Sequence, residues 1–239
     1  MNHEMNHEVK IFNEFGIKPT FNHQAAGADF YIPYFDEDKK EIVFKAFEQS
    51  YKKNHEDIKN IYLALLSFTR SLNISEKQLI NIVHLYLSLD SAALNSYDNE
   101  VEKIRLFCQR YLVFDNNGRP GIACELNDAL LINSGIHVAL EHNTAGIFFN
   151  KSGRGNAGFD VRAQVVDEDY TGFVHCSLAF TKDTEAASRK IYCGDKLTQM
   201  IILPIIHADW TEVDEDEYNA IMSNSERGSN GFGSGDEKH

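Results

Sequence analysis

Cysteine is scarce in this chain and poorly spaced for metal or disulfide chemistry. Cys108, Cys124, Cys176 and Cys193 form no Cys-x-x-Cys pair. Such spacing implies neither a structural zinc site nor a disulfide framework, so the expectation is reduced thiols in a cytoplasmic protein. No apolar run is long enough to span a bilayer and no charged-then-apolar stretch opens the sequence, so no membrane partner is expected. Positive charge is also lacking. With 23 Lys+Arg against 36 Asp+Glu the net charge is −13, which argues against a general nucleic-acid binder, since that task needs a basic footprint. Internal repeats and long low-complexity segments are absent as well.

What is present is an ordinary globular composition, 43% apolar, whose pattern switches twice along the chain. Val9 to Phe12 and Ala28 to Tyr34 read as short strands. Helical periodicity then takes over. Val43, Phe47 and Tyr51 mark a first helix, and Ile58, Ile61, Tyr62, Leu65 and Leu66 make one face of a second. Ser75-x-x-Gln78 is a capping box ahead of Leu79 to Leu89, which is apolar on nearly every side and so expected to be buried. Val101, Ile104, Cys108, Tyr111 and Leu112 mark a further helix, with Asp98 as its expected cap. Asn116-Asn117-Gly118-Arg119-Pro120 closes the block with a turn. From Ala129 onward short strands return, among them Leu130 to Ile132, Ile136 to Leu140, Gly146 to Phe149 and Phe173 to Leu178, at the spacing of a sandwich or barrel.

The expected architecture is therefore mainly β, over 1–35 and 121–239, with an inserted subdomain of about four helices over 36–120. Charge divides the same way. Residues 36–120 hold 12 Lys/Arg and 13 Asp/Glu, so almost all the negative charge lies elsewhere, much of it between Asp209 and Glu217. A polyanionic ligand would then need locally placed cations and a metal.

Five segments carry chemistry. They are Ala26-Gly27-Ala28-Asp29-Phe30-Tyr31, Asn150-Lys151-Ser152-Gly153, Val166-Asp167-Glu168-Asp169-Tyr170-Thr171-Gly172, Gly194-Asp195-Lys196-Leu197-Thr198-Gln199 and the tail Arg227-Gly228-Ser229-Asn230-Gly231-Phe232-Gly233-Ser234-Gly235. In the tail, glycines let backbone N–H groups approach a ligand, arginine offers a fork for phosphate oxygens, and a phenylalanine can lie on a base. In this order the five blocks resemble the motifs of the trimeric all-β dUTP pyrophosphatases (dUTPases). The resemblance covers about 8–35 and 121–235 and leaves the helical segment unexplained.

That resemblance implies a distorted jelly-roll barrel and hydrolysis of dUTP to dUMP and pyrophosphate with Mg²⁺. Asp167 would be the base that activates a water beside the α-phosphorus. Tyr170 would lie under the deoxyribose and exclude a 2′-hydroxyl. Lys151, Ser152 and Gly153 would contact the phosphates, with Gln199 near the α-phosphate, and Asp29 would hold Mg²⁺ through a water. Over the site would close an arm, 226–239, in which Arg227 and Ser234 meet phosphate and Gly231, Phe232 and Gly233 cover the base. The family's sites are built from motifs on different subunits, which implies an obligatory homotrimer.

There are departures. The family pattern Pro-Arg-Ser-Gly reads Asn150-Lys151-Ser152-Gly153 here, which keeps the charge and loses the bidentate fork. Val161 and Gln164 stand where the family often has asparagine and glycine, and the hairpin into Asp167 is shorter. These bear on base reading more than on hydrolysis. The insertion suggests a viral or phage member, placed then in the host cytoplasm. Two alternatives stand beside hydrolysis. One is a regulator that binds a protein partner, such as a repressor, through 36–120. The other is the related dCTP deaminase, disfavoured because Ser177 occupies the place of its catalytic glutamate. None of the five blocks lies inside 36–120, so a Gly/Ser linker replacing it is expected to leave the chemistry measurable, loop closure costing little.

Overall fold

A computed structural model describes residues 8–22, 24–35, 39–183 and 189–225. The N-terminal part supplies strands β1 (Lys10–Asn13) and β2 (Ala28–Tyr31). Helices follow: α1 (Lys40–Tyr51), α2 (His55–Thr69) and α3 (Glu76–Ser88). A short strand β3 (Leu89–Asp90), a single turn α4 (Ala92–Asn95) and α5 (Glu100–Leu106) come next, and α5 runs on into a wider π turn over Phe107–Tyr111. The remainder is β4 (Leu112–Phe114), β5 (Pro120–Ala123), β6 (Ala129–Asn133), β7 (Ile136–Ala139), β8 (Thr144–Asn150), a one-turn helix α6 (Ser152–Asn156), β9 (Phe159–Arg162), β10 (Val165–Val166), β11 (His175–Phe180), β12 (Lys190–Tyr192), β13 (Lys196–Pro204) and α7 (Glu215–Met222).

The helix starts follow local chemistry. Ser75 and Gln78 form the expected capping box, and Asn54 with Asp57 forms a second one at α2. The cap of α5 is Asn99 rather than Asp98. Its Oδ1 accepts from Val101 N at 2.9 Å and Glu102 N at 3.4 Å, because Asn99 holds the extended backbone that aims its side chain at the first free N–H groups. Leu79, Ile80, Ile82, Val83 and Leu85 are all at most 1% exposed, as the all-round apolar pattern demanded.

Among the described residues all strand pairs are antiparallel. Two four-stranded sheets, β10-β8-β13-β2 and β3-β6-β11-β9, are accompanied by a three-stranded sheet, β12-β5-β4, and the pair β1-β7. By contacts the chain divides into two compact units, 1–205 and 206–239. Helices α1 to α5 lie within the first unit and share its core. Phe15 and Phe173, from the β part, contact each other at 5.3 Å between ring centroids, and Phe15 meets Phe35 at 5.5 Å. Phe35 in turn packs on Phe47 of α1 and His84 of α3, at 5.8 and 5.1 Å. Backbone ties run along the same seam. The Asn81 amide brackets the Phe35 peptide, and the Tyr51 hydroxyl donates to Leu131 O and accepts from Asn133 N. Among the described residues no helix is long and apolar enough to cross a membrane, and all four cysteines are free thiols.

His84 gives this seam a pH dependence. It is fully buried, stacked on Phe47 at 5.3 Å, and neither ring nitrogen finds a hydrogen-bond partner. Burial pushes its pKa down to about 3. The unfolded chain therefore binds a proton at this histidine below its ordinary pKa of about 6.5 while the folded chain does not. Stability from this group is complete above pH 6.5 and declines as pH falls toward 3, by about 2 kcal/mol at pH 5. Replacing His84 by Leu is expected to flatten the Tm profile between pH 7 and 4. An unchanged slope would remove His84 as its cause.

Candidate functional site

The onset of β13 organises the site. Gly194 turns the chain at φ +88°, a left-handed conformation that favours glycine. The turn is latched onto the end of β2 by Gly194 N to Ile32 O and Ile32 N to Asp195 O, both 2.9 Å. That latch sets the register. Lys196 stands opposite Tyr31, and Gln199 stands opposite Asp29 on one side and Phe149 on the other. Residues opposite one another share a face, so Asp29 and Gln199 point the same way. β8 ends beside them at Asn150, and the chain passes directly into Lys151, Ser152 and Gly153.

Here the structure gathers three of the five separated blocks, the first, second and fourth. Lys151 Nζ pairs with Asp29 Oδ1, and Lys196 Nζ lies 2.7 Å from Asp29 Oδ2. Burial works to raise the Asp29 pKa, but the two ammonium groups outweigh it and hold the carboxyl below its usual range. Gln199 Nε2 donates to Asn150 O at 3.2 Å, which fixes the amide at the same corner. A side chain built on Gly153 would meet nothing within 4 Å, so the space above that backbone is open to a ligand. Lys151, Ser152, Gly153, Arg154, Asp195 and Lys196 line a pocket of about 350 Å³ there.

Asp167 and Tyr170 are elsewhere. Asp167 follows Val166, which pairs with Gly146, at the other end of β8 from Asn150. Four residues of strand separate those ends, roughly 14 Å. Asp29 also lies three strands across the sheet from β10, again roughly 14 Å. Within one chain Asp167 does not reach the Lys151–Asp29 corner. Its carboxylate is exposed, and no side-chain hydrogen bond or ion pair to it is found among the described residues. The turn that carries it is well fixed. Tyr170 N donates to Asp167 O at 3.2 Å, and Glu168 binds the Asn143 N–H and His142 Nδ1. The Tyr170 hydroxyl donates to Phe173 O at 2.7 Å, and its ring lies over Gly172, where a Cβ would come within 2.5 Å of Tyr170 Oη. This close approach explains the glycine of the Asp-x-Asp-Tyr-x-Gly block. Arg227, Gly231, Phe232, Gly233 and Ser234 lie outside the described residues.

Three residues at the corner were not singled out from the sequence. Lys196 is the second cation on Asp29. Arg154 and Asp195 form an ion pair at 2.7 Å that ties α6 to the β13 turn. The only sequence signal for them was position, Asp195 and Lys196 standing inside the fourth block and Arg154 directly after the second.

Comparison with known proteins covers the second to fifth of these blocks. Residues 120–235 match the dUTPase family profile. The chain is 32% identical over 114 residues to the deoxyuridine 5'-triphosphate nucleotidohydrolase of Coxiella burnetii, covering 46% of this chain and 69% of that protein. Its likeness to the rat enzyme of the same name is 35% over 106 residues, covering 44% of this chain and 47% of that one. The fold is shared with a mutant dUTPase of Staphylococcus bacteriophage 80alpha solved with dUpNHpp. That match has a TM-score of 0.50 and 13% identity, and covers 95% of this chain and 98% of that one. The chain belongs to the dUTPase family.

Proposed function

We propose that this protein hydrolyses dUTP to dUMP and pyrophosphate at sites shared between subunits of a homotrimer. The observation that carries the reading is the convergence of Asp29, Lys151–Gly153 and Gln199 on one sheet corner, with Asp167 held roughly 14 Å or more away along the same sheet. A polyphosphate laid on that corner would take Lys151 and Lys196 from Asp29, exchanging one anion for another. The Asp167 turn of a neighbouring copy then supplies the base. Its carboxylate accepts a proton from a water as the water oxygen bonds to the α-phosphorus. The bond from that phosphorus to the α–β bridging oxygen breaks, and pyrophosphate leaves. Tyr170 would carry the deoxyribose on its exposed face. Arg227, Phe232 and Ser234 would close over the nucleotide and exclude water.

Mg²⁺ fits this corner only together with substrate. The described residues hold no group of three metal-ligating side chains, and Asp29 is a single carboxylate already facing two ammonium groups. Such a donor set suits an ion that keeps its waters and takes most of its ligands from phosphate, with Asp29 contacting a bound water. When bound, the ion neutralises charge on the phosphates. The family domain would be discontinuous, 1–35 and 121–239, with 36–120 inserted.

Pyrophosphate release from dUTP, dTTP, dCTP and UTP with Mg²⁺ tests the substrate, and activity confined to dUTP is the expected result. Sharing is tested by mixing two inactive variants, Asp167→Asn and Lys151→Ala, through unfolding and refolding. About a quarter of wild-type activity should return, the share of random interfaces that combine an intact base with an intact lysine. No recovery from a mixed trimer would sink the shared site.

A further inference from the structure

A continuous polar chain joins the helical segment to the phosphate corner. It begins at Gln78, in the first turn of α3, whose Oε1 accepts the Ser75 N–H at 2.9 Å while its Nε2 donates to Gly118 O at 2.7 Å. The next residue, Arg119, is folded onto Asp115. Its Nε donates to Asp115 Oδ2 at 2.7 Å, and Asp115 Oδ1 accepts the Asn117 and Arg119 N–H groups at 2.9 Å each. From this turn Nη1 of Arg119 reaches across to Cys193 O at 3.0 Å and Asp195 Oδ1 at 3.4 Å. Gly194 leaves room for it, since a Cβ there would stand 3.3 Å from Nη1. Asp195 Oδ2 takes Arg154 Nη2 at 2.7 Å, and Arg154 also donates to Lys196 O and Lys190 O at 3.1 and 3.2 Å.

Two features make this chain more than surface decoration. α6 is one turn with two glycines and no buried residue, so Arg154 is the main side-chain anchor of the loop that follows Lys151. Arg119 also lies just before the stretch that matches the family, 120–235, at the exit of the helical segment. We infer that Arg119 is a positioning residue through which the helical segment holds the 151–156 loop in shape for a polyphosphate. This rests on the reading of that loop as the phosphate site. Arg119 touches no substrate. It orients Asp195, Asp195 orients Arg154, and Arg154 fixes the backbone on which Lys151, Ser152 and Gly153 sit.

The test uses Arg119→Met, which keeps the apolar stem and removes the fork, with Arg119→Lys as partial rescue. Gln78→Glu is the second entry point, because glutamate preserves the capping box but cannot donate to Gly118 O. Two readouts are combined. Amide exchange over 152–157 should quicken in Arg119→Met and Gln78→Glu with the rest of the sheet unchanged. Affinity for dUpNHpp should fall roughly three- to tenfold while affinity for dUMP, which lacks the β- and γ-phosphates, stays level. The double variant should be no worse than Arg119→Met alone, as expected for links in series. Unchanged exchange over 152–157 overturns the inference whatever the activity. Equal loss of dUpNHpp and dUMP binding also overturns it, since that marks general damage. Faster exchange with no effect on either nucleotide would leave the relay standing and sink the phosphate reading of the loop. Should Arg119→Met not fold, Gln78→Glu and Arg119→Lys carry the same two readouts.

Discussion

Replacing Asp167 by Asn is expected to cut dUTP turnover by roughly 10²–10⁴ while leaving nucleotide binding near the wild-type level. The two carboxamide atoms occupy the space of the carboxylate, so the turn should not move. Its shape is held by Glu168 on Asn143 N–H and by Tyr170 N on Asp167 O, neither of which involves the Asp167 side chain. What disappears is an acceptor able to take a proton from water. Single-turnover hydrolysis and dUpNHpp titration on the same preparation separate the two effects. Near-normal turnover would remove Asp167 from the mechanism, and lost binding would make it a substrate ligand instead.

Removal of 36–120 is expected to yield no soluble folded protein, contrary to what loop-closure arithmetic suggests for a Gly/Ser bridge. The reason lies in the seam. Phe47 and His84 cover Phe35, and Tyr51 and Asn81 satisfy backbone groups at Leu131, Asn133 and Phe35. The segment also contributes two strands, β3 against β6 and β4 against β5. Truncating one large buried side chain costs about 2–5 kcal/mol, against a total stability of about 5–15 kcal/mol. Losing the whole seam exceeds that margin. Size-exclusion of the linker variant decides the matter, and a soluble trimer that hydrolyses dUTP would show the helices to be dispensable.

The two expectations differ in how much of their basis could be read in advance. Asp167, Tyr170, Gln199 and Gly153 could be proposed because each sits in a short block whose residue types and order carry meaning without coordinates. Helix starts were equally readable at Ser75, where the capping box is a three-residue event. The cap one position away at Asn99 shows the limit. Asp98 and Asn99 are both good caps, and only the backbone conformation chooses between them. The single turn α6 was missed because two glycines in five residues give no helical signal.

The sequence by itself determined the kinds of element and the class of chemistry, and it named the candidate residues for that chemistry. These depend on local periodicity and on functional groups, which are properties of the chain. Tertiary structure alone decided which groups meet. Lys196 came to Asp29 through strand register and a bulge, Arg119 came to Asp195 from 76 residues away in the sequence, and Asp167 was placed roughly 14 Å or more from the Lys151–Asp29 corner within one chain. The helical segment likewise has caps, periodicity and near-neutral charge that suit a separable module, yet it is joined to the barrel by a buried aromatic seam. Burial is non-directional and carries no sequence mark of its partner, so which face covers which is fixed only when the chain closes on itself.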